Sequence, residues 1–302
     1  MSGRLVLGCG NFGGIGSAPE LFGHGESEEE AFAIMDAAWG AGIRWFDTAD
    51  AYGGGLSEAT IGGWLAATGN RPAITTKTFN PMDAGLDSGL GRDRILRQIE
   101  TSLERLGLER VDLYLAHEFD PDVPLEETLG AFEELVDQGA VGAYGVSNFS
   151  PAQVERAAEL GRPRVVQNEF SLLVRHDEEA LLPFCAEQGI AYQAFSPLGG
   201  GWLTGKYRPG EAFPQGSRMT LRPGPYEHLV HDRTFLALEE LQAEAAEREL
   251  DLATLALAWV LAHPAVTAIV VGPRRPTHLE PALRALDVSL SEDERRELAA
   301  LF

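Results

Sequence analysis

Eight short apolar runs recur along this 302-residue sequence, at 4–9, 43–47, 73–77, 111–116, 141–146, 164–168, 190–195 and 267–271. Each is too short for a helix and rich in residues that suit a strand covered on both faces. Between the runs lie stretches with helical spacing. In 27–41, Ala31, Ile34, Met35, Ala38 and Trp39 fall on one face. Ser27 precedes Glu30 by three residues, the spacing of a capping box that starts such a helix. Comparable patterns occupy 57–67, 92–106, 125–138, 151–160, 177–188, 232–248 with 252–262, 276–286 and the C-terminal S-L-S-E-D-E-R-R-E-L-A-A-L-F.

Strands that alternate with helices require right-handed crossovers, and hence a parallel sheet buried on both sides. About eight such units in roughly 250–300 residues predict an α/β fold of the (β/α)8 TIM-barrel type. No linker interrupts the pattern, so residues 1–302 read as a single domain. The competing architecture is an open doubly wound sheet. Its glycine fingerprint is only loosely approached by G-C-G-N-F-G-G-I-G at 8–16, which leads into a long loop rather than a helix. The longest irregular stretch, 199–226, carries Trp202, Tyr207, Phe213 and Tyr226, too aromatic for a disordered linker. It follows the seventh strand, where barrels often build phosphate sites, and reads as a lid over a bound ligand.

The net charge of −22 argues against a nucleic-acid partner, which needs a basic surface. Cys9 and Cys185 are the only cysteines, so a disulfide framework is not expected and a reducing cytoplasm fits. Neither thiol has the neighbours of a metal cluster, and no metal site is expected. No signal peptide is recognised at M-S-G-R-L-V-L-G-C-G, and no run approaches the roughly 20 apolar residues of a membrane span. Oligomeric state leaves no clear signature.

Three of the apolar runs stop abruptly at an ionisable residue: Asp47 after I-R-W-F, Lys77 after A-I-T-T and His117 after V-D-L-Y-L-A. Barrel active sites are built at the carboxyl ends of strands, so the three should face one mouth. Tyr52 follows Asp47 on a loop that turns through Gly53-Gly54-Gly55 before Ser57-Glu58 opens the next helix, a mobile turn able to carry a ring over the mouth. Taken singly, each has a bland reading: a capping carboxylate, a loop aromatic, a satisfied near-core histidine. Together they are the parts needed to protonate a carbonyl oxygen. An ammonium about 4 Å from a phenol, at an effective dielectric of roughly 20, favours the phenolate by about 4 kcal/mol. That would bring a tyrosine from about 10 towards about 7. A neighbouring carboxylate such as Asp47 would keep a desolvated Lys77 charged, and His117 can orient the carbonyl or relay the proton. Lys77 and Lys206 are the only lysines in the chain.

The blocks D-T-A-D-A-Y at 47–52, T-T-K at 75–77, L-Y-L-A-H at 113–117, V-S-N at 146–148, Q-N at 167–168, F-S-P-L at 195–198 and L-T-G-K-Y at 203–207 resemble the aldo-keto reductases. The likeness extends to the bacterial members related to the potassium-channel β-subunit branch. It runs in the family's order over nearly the whole chain. The resemblance implies a barrel that reversibly reduces a small aldehyde or ketone with a nicotinamide cofactor. It casts Tyr52 as general acid, Lys77 and Asp47 as its tuning pair and His117 as the orienting group. It places Ser147, Asn148 and Gln167 on the nicotinamide carboxamide and the ring of Phe195 against the nicotinamide. Ser196, Leu198, Leu203, Gly205 and Lys206 would hold the pyrophosphate. The segment 268–279, with Gly272, Arg274 and His278, would hold the adenosine end; Arg274 suits a 2′-phosphate and favours NADP(H) over NAD(H), with Arg275 as the alternative.

The sequence departs from that pattern at Pro281-Ala282, where many members carry Glu-Asn, and at His278, which replaces a frequent Arg or Gln. A hairpin before the first strand is also absent or very short. Trp202, Phe79 and Phe119 follow barrel strands and could line a pocket or pack under loops. The loops at 12–26, 79–91, 118–124 and 199–231 would set the substrate. Two further readings stand beside the reductase: a redox-sensing or regulatory subunit that binds cofactor with little turnover, and a Schiff-base aldolase using Lys77.

Overall fold

Strands β1 (Leu5–Gly8), β2 (Trp45–Asp47), β3 (Ala73–Thr78), β4 (Val111–Ala116), β5 (Val141–Ser147), β6 (Val165–Glu169), β7 (Ala191–Phe195) and β8 (Val266–Val271) pair in chain order, all parallel, in a computed structural model. β8 returns to β1 and closes the barrel, which settles the choice against an open sheet. Residues 2–82 and 87–302 are described; of the loop expected to shape the substrate pocket at 79–91, residues 83–86 lie outside them. Ten of the helices follow in order: α1 (Glu28–Gly40), α2 (Leu56–Thr68), α3 (Arg92–Leu106), α4 (Leu125–Asp137), α5 (Pro151–Leu160), α6 (Leu181–Gln188), α7 (Arg218–Leu221), α8 (Asp232–Glu247), α9 (Leu252–Leu261) and α10 (Glu280–Ala285). The last, α11 (Glu292–Ala299), lies at the C-terminus. Among the described residues no helix is long and apolar enough to cross a membrane.

The local signals explain most boundaries. Ser27 and Glu30 form the expected capping box, each side chain accepting from the other's backbone N–H. Helix 177–188 starts late, at Leu181, because Asp177 is recruited inward: its buried carboxylate accepts from Asn168 Nδ2 at 2.8 Å and Tyr192 Oη at 2.7 Å. The pattern at 276–286 divides into a 3-10 turn, Pro276–Leu279, and α10. At the start of the chain a 3-10 turn, Ser2–Arg4, takes the place of a hairpin, and Arg4 reaches Val266 O at 2.8 Å across the β1–β8 seam. Ser57-Glu58 is no exposed helix opening. Ser57 Oγ donates to Cys9 O at 2.9 Å, and Glu58 is fully buried behind β3.

Alternation along the strands sorts side chains into barrel interior and helix layer. Trp45 fills the lower barrel between Val6, Ala268 and Val270 on one side and Leu113, Leu115 and Val165 on the other. Phe46, one residue on, packs outward on Trp64. In β3, Thr75 faces Trp45 Nε1 at 2.6 Å inside, while Thr76 donates outward to Glu58 Oε1 at 2.6 Å. The same two-residue step carries Asp47 and Lys77 inward, above the Trp45 layer. A one-residue slip of register would turn both out into the helices.

The stretch 199–226 is an ordered flap rather than a bare loop: a 3-10 turn, Gly199–Thr204, then α7, then a second turn, Gly224–Leu229. Its anchor is Trp202, fully buried with ring centroids of Tyr207 at 4.9 Å, Phe235 at 5.6 Å and Phe213 at 6.4 Å. Trp202 is therefore packing, and Phe119, edge-on to Phe149 at 5.3 Å, also has an aromatic neighbour. Trp202→Ala should lower the unfolding free energy in a guanidinium titration by about 3–5 kcal/mol. Trp202→Phe should cost less, because the indole N–H has no partner to lose.

Candidate active site

Above the Trp45 layer the barrel interior turns polar, and each polar group there has a partner. Lys77 Nζ donates to Asp47 Oδ1 at 2.5 Å and to Thr48 O at 2.9 Å, with both charged side chains buried. The second Asp47 oxygen accepts from Gln167 Nε2 at 2.7 Å, and Gln167 also donates to Gln193 Oε1 at 3.1 Å. Four strands, β2, β3, β6 and β7, thus meet in one hydrogen-bonded layer. Burying an ion pair is tolerable only when its remaining lone pairs and protons are satisfied in this way.

Tyr52 stands over that layer. The three glycines after it hold φ of 59°, 67° and 94°, a left-handed run that side chains with a Cβ resist, and Gly53 and Gly55 are buried. The turn expected to be mobile is a packed fixture. It sets Tyr52 Oη 3.5 Å from Lys77 Nζ and 3.4 Å from His117 Nε2. Burial pushes the phenol pKa above its ordinary value and outweighs the pull of Lys77, and Asp47 adds to the rise. The expectation of a phenol near 7 is therefore corrected: it treated Lys77 as a lone charge, whereas Asp47 at 2.5 Å cancels much of its field. Burial also opposes the Lys77 ammonium, yet Asp47 and then Tyr52 more than offset it, so its pKa lies above that of a free lysine.

His117, the residue after β4, is driven well below the ordinary histidine value, first by burial and then by Lys77. Its ring is neutral, and its tautomer follows from a neighbour that sequence reading missed. Asn80 Nδ2 lies 3.2 Å from Nδ1. An amide N–H donated there leaves the single imidazole proton on Nε2, facing Tyr52. The Tyr52 oxygen then receives from Lys77 and His117, and its own proton is free to point into the mouth. Asn80 is fixed in turn by Arg94, whose Nη2 donates to Asn80 O at 2.9 Å and whose Nε and Nη1 take Asp87 O and Gly89 O. Arg94 also meets Thr78 Oγ at 2.6 Å, and Thr78 donates to Asp50 Oδ2 at 2.7 Å, tying the loops after β2 and β3 together.

The remaining candidates lie at or after the carboxyl ends of β5, β7 and β8. Asn148 adopts φ of 58° and donates to His117 O at 2.9 Å and Ser147 Oγ at 3.3 Å, so it braces the histidine backbone. Ser196 is likewise left-handed, with φ of 52°. Phe195 packs against the barrel interior beside Val6 and Val270. Leu198 packs against the core, Leu203 is fully buried, and the Leu203 amide donates to Leu198 O at 3.2 Å. Gly205 ends the first flap turn with φ of 75°, and Lys206 follows. Lys206 is exposed as a whole, yet its ammonium is partly desolvated. That desolvation, with Arg218 and Arg274 nearby, lowers its pKa. Arg274 Nε meets Glu26 Oε1 at 2.6 Å and Nη1 donates to Gly216 O at 2.6 Å, while Gly272 is exposed and His278 Nδ1 accepts from the Arg274 amide at 3.3 Å. Gln193, Asn80, Glu26 and Arg218 were missed. Gln193 interrupts an apolar run and so left a trace; Asn80 and Glu26 sit in aperiodic loops and Arg218 opens the single turn of α7, too short to show a period, so these three left none.

The titration of Tyr52 is directly measurable. In the difference between wild-type and Tyr52→Phe ultraviolet spectra, tyrosinate absorbance should emerge only above pH of about 10. Emergence near neutrality would mean that the Lys77 charge, not burial, controls the phenol.

Comparison with known proteins identifies the family to which this barrel belongs. Residues 4–301 match the Aldo/keto reductase family. An uncharacterized oxidoreductase of Bacillus subtilis, YrpG, is 36% identical over 317 residues, covering 99% of this chain and 92% of the relative. A probable voltage-gated potassium channel subunit beta of Oryza sativa is 32% identical, covering 88% and 85%. Among solved structures, the glycerol dehydrogenase of Gluconobacter oxydans superposes with a TM-score of 0.84 at 26% identity, covering 99% of this chain and 90% of that one. The chain is an oxidoreductase-type barrel and belongs to the aldo/keto reductase family.

Proposed function

We propose that residues 1–302 act as one catalytic unit that reduces the carbonyl of a small aldehyde or ketone with NADP(H), and reversibly oxidises the alcohol. The observation that carries this reading is the placement of Tyr52 Oη within 3.5 Å of Lys77 Nζ and 3.4 Å of His117 Nε2, directly over the Asp47–Lys77 pair. The nicotinamide, when bound, supplies the hydride. Tyr52 gives its proton to the carbonyl oxygen as charge gathers there, and His117 turns its one N–H, on Nε2, from Tyr52 to the same oxygen. Lys77 stabilises the phenolate left behind, and Asp47 keeps Lys77 charged.

The chain's own residues fit such a cofactor. Lys206, Arg218 and Arg274 gather cationic groups on one side of the flap, and among the described residues Lys206 makes no ion pair. A pyrophosphate is the natural counter-charge for such a cluster. Ser196, Leu198, Leu203 and Gly205 would frame it by backbone. With both Gln167 amide hydrogens directed to Asp47 and Gln193, its carbonyl is what remains for a carboxamide, alongside Ser147 and Asn148. Phe195 would lie against the nicotinamide ring, and Gly272, Arg274 and His278 would take the adenosine end. The strongly acidic chain suits a protein free in the cytoplasm, with neither nucleic acid nor membrane as partner.

A regulatory subunit that binds cofactor with little turnover is the second reading, favoured by the likeness to a probable potassium-channel subunit. The aldolase reading loses ground, because a lysine held charged by Asp47 is a poor nucleophile. A panel of carbonyls and alcohols with NADPH and NADH separates reductase from regulatory subunit. Tyr52→Phe should lower turnover by about 10²–10⁴-fold while NADPH still quenches tryptophan fluorescence. Turnover that survives the substitution would remove Tyr52 as donor.

A further inference from the structure

The charge opposite Arg274 is fixed in place. Glu26 lies in the loop after β1, with its backbone N–H donated to Asn11 O at 2.8 Å and its carbonyl accepting from Gly13 N at 3.1 Å. Gly25 before it packs so closely that a Cβ there would overlap Asn11 O. The Glu26 side chain is 3% exposed, one oxygen meets Arg274 Nε at 2.6 Å, and the other is buried without a partner. Arg274 cannot swing freely to another acceptor either, because Nη1 is held on Gly216 O at 2.6 Å. Arg218, the next cation, donates through Nη2 to the neutral Asn11 Oδ1 at 2.7 Å.

Resting on the proposed use of a nicotinamide cofactor, we infer that Glu26 is a specificity-determining residue, a built-in carboxylate that holds down the preference for a 2′-phosphorylated adenosine ribose. It already occupies the Nε edge of Arg274, leaving Nη2 as the edge open to a ligand. A 2′-phosphate carries a charge of about −1.5 to −2. Bound to Arg274 it would lie within one guanidinium's width of a carboxylate that cannot retreat. A ribose 2′-hydroxyl meets no such repulsion and can donate to a carboxylate. The chain therefore combines an arginine suited to NADP(H) with an acid that narrows the margin over NAD(H).

Dissociation constants for NADPH and NADH, from fluorescence quenching of the full-length protein, test this. Glu26→Gln keeps the size and an acceptor for Arg274 Nε but removes the charge. It should shift the ratio of the two constants towards NADPH by at least about tenfold, as expected for deleting a like charge a few ångströms from a phosphate. Glu26→Asp keeps the charge and should leave the ratio within about threefold of wild type. An unchanged ratio in Glu26→Gln, or a shift towards NADH, would overturn the inference while leaving cofactor binding intact. Should Glu26→Gln fail to fold, a tenfold or larger shift towards NADPH in Glu26→Asp overturns it, since the charge remains. Failure of both cofactors to bind the wild-type protein would instead strike the proposed function, and this inference with it.

Discussion

The buried pair of Lys77 and Asp47 is the contact on which the rest of the site hangs. Removing two charges from water costs several kcal/mol per ion even after relaxation, and their attraction recovers it only with every other bond in place. The barrel provides those bonds from three directions: Thr48 O for the ammonium, Gln167 for the second carboxylate oxygen, and Gln193 behind Gln167. Gln167 and Gln193 come from β6 and β7 across the barrel, so the pair is fully satisfied only in the closed barrel. It also fixes the register of β2 against β3, because no other alignment puts these two side chains in one interior layer.

Burial then assigns protonation states across a space of a few ångströms. Lys77 remains charged because Asp47 offsets its burial. Tyr52 and His117 lack such a partner; desolvation raises one and lowers the other, and both stay neutral at physiological pH. Two neutral hydrogen-bond donors above a contact ion pair suit an oxygen that gains negative charge only during reaction. Water would blur that distinction, and the flap anchored by Trp202 packs beside the same mouth.

Much of this was legible in the sequence, and the limits have physical causes. Strand positions were readable because a strand covered on both sides must be apolar throughout, and the four ionisable residues were readable because they end such runs. The phenol's shift was misjudged because a pairwise Coulomb estimate omits both desolvation and the counter-charge of Asp47. Asn80 and Glu26 were invisible because aperiodic loops impose no pattern that a single polar residue could break, and Arg218 because the one turn of α7 is too short to show a period. Asp177 misled in the other direction: it has the look of a helix start, and the core claimed it as an acceptor for Asn168 and Tyr192.

β3 is polar on both faces. Inside it carries Thr75 and Lys77; outside, Thr76 and Thr78 meet Glu58 on α2, Asp50 on the loop after β2 and Arg94 on α3. Its seat is therefore specified by named partners on both sides and far less by oil-like packing. The unit that can be moved intact from one barrel to another is the whole span from β2 to α3. A graft of the outer helices alone would leave two threonines facing apolar side chains and release the loop that holds Asn80. In this barrel the outer ring is part of the chemistry's address, and distance from the mouth is a poor guide to functional silence.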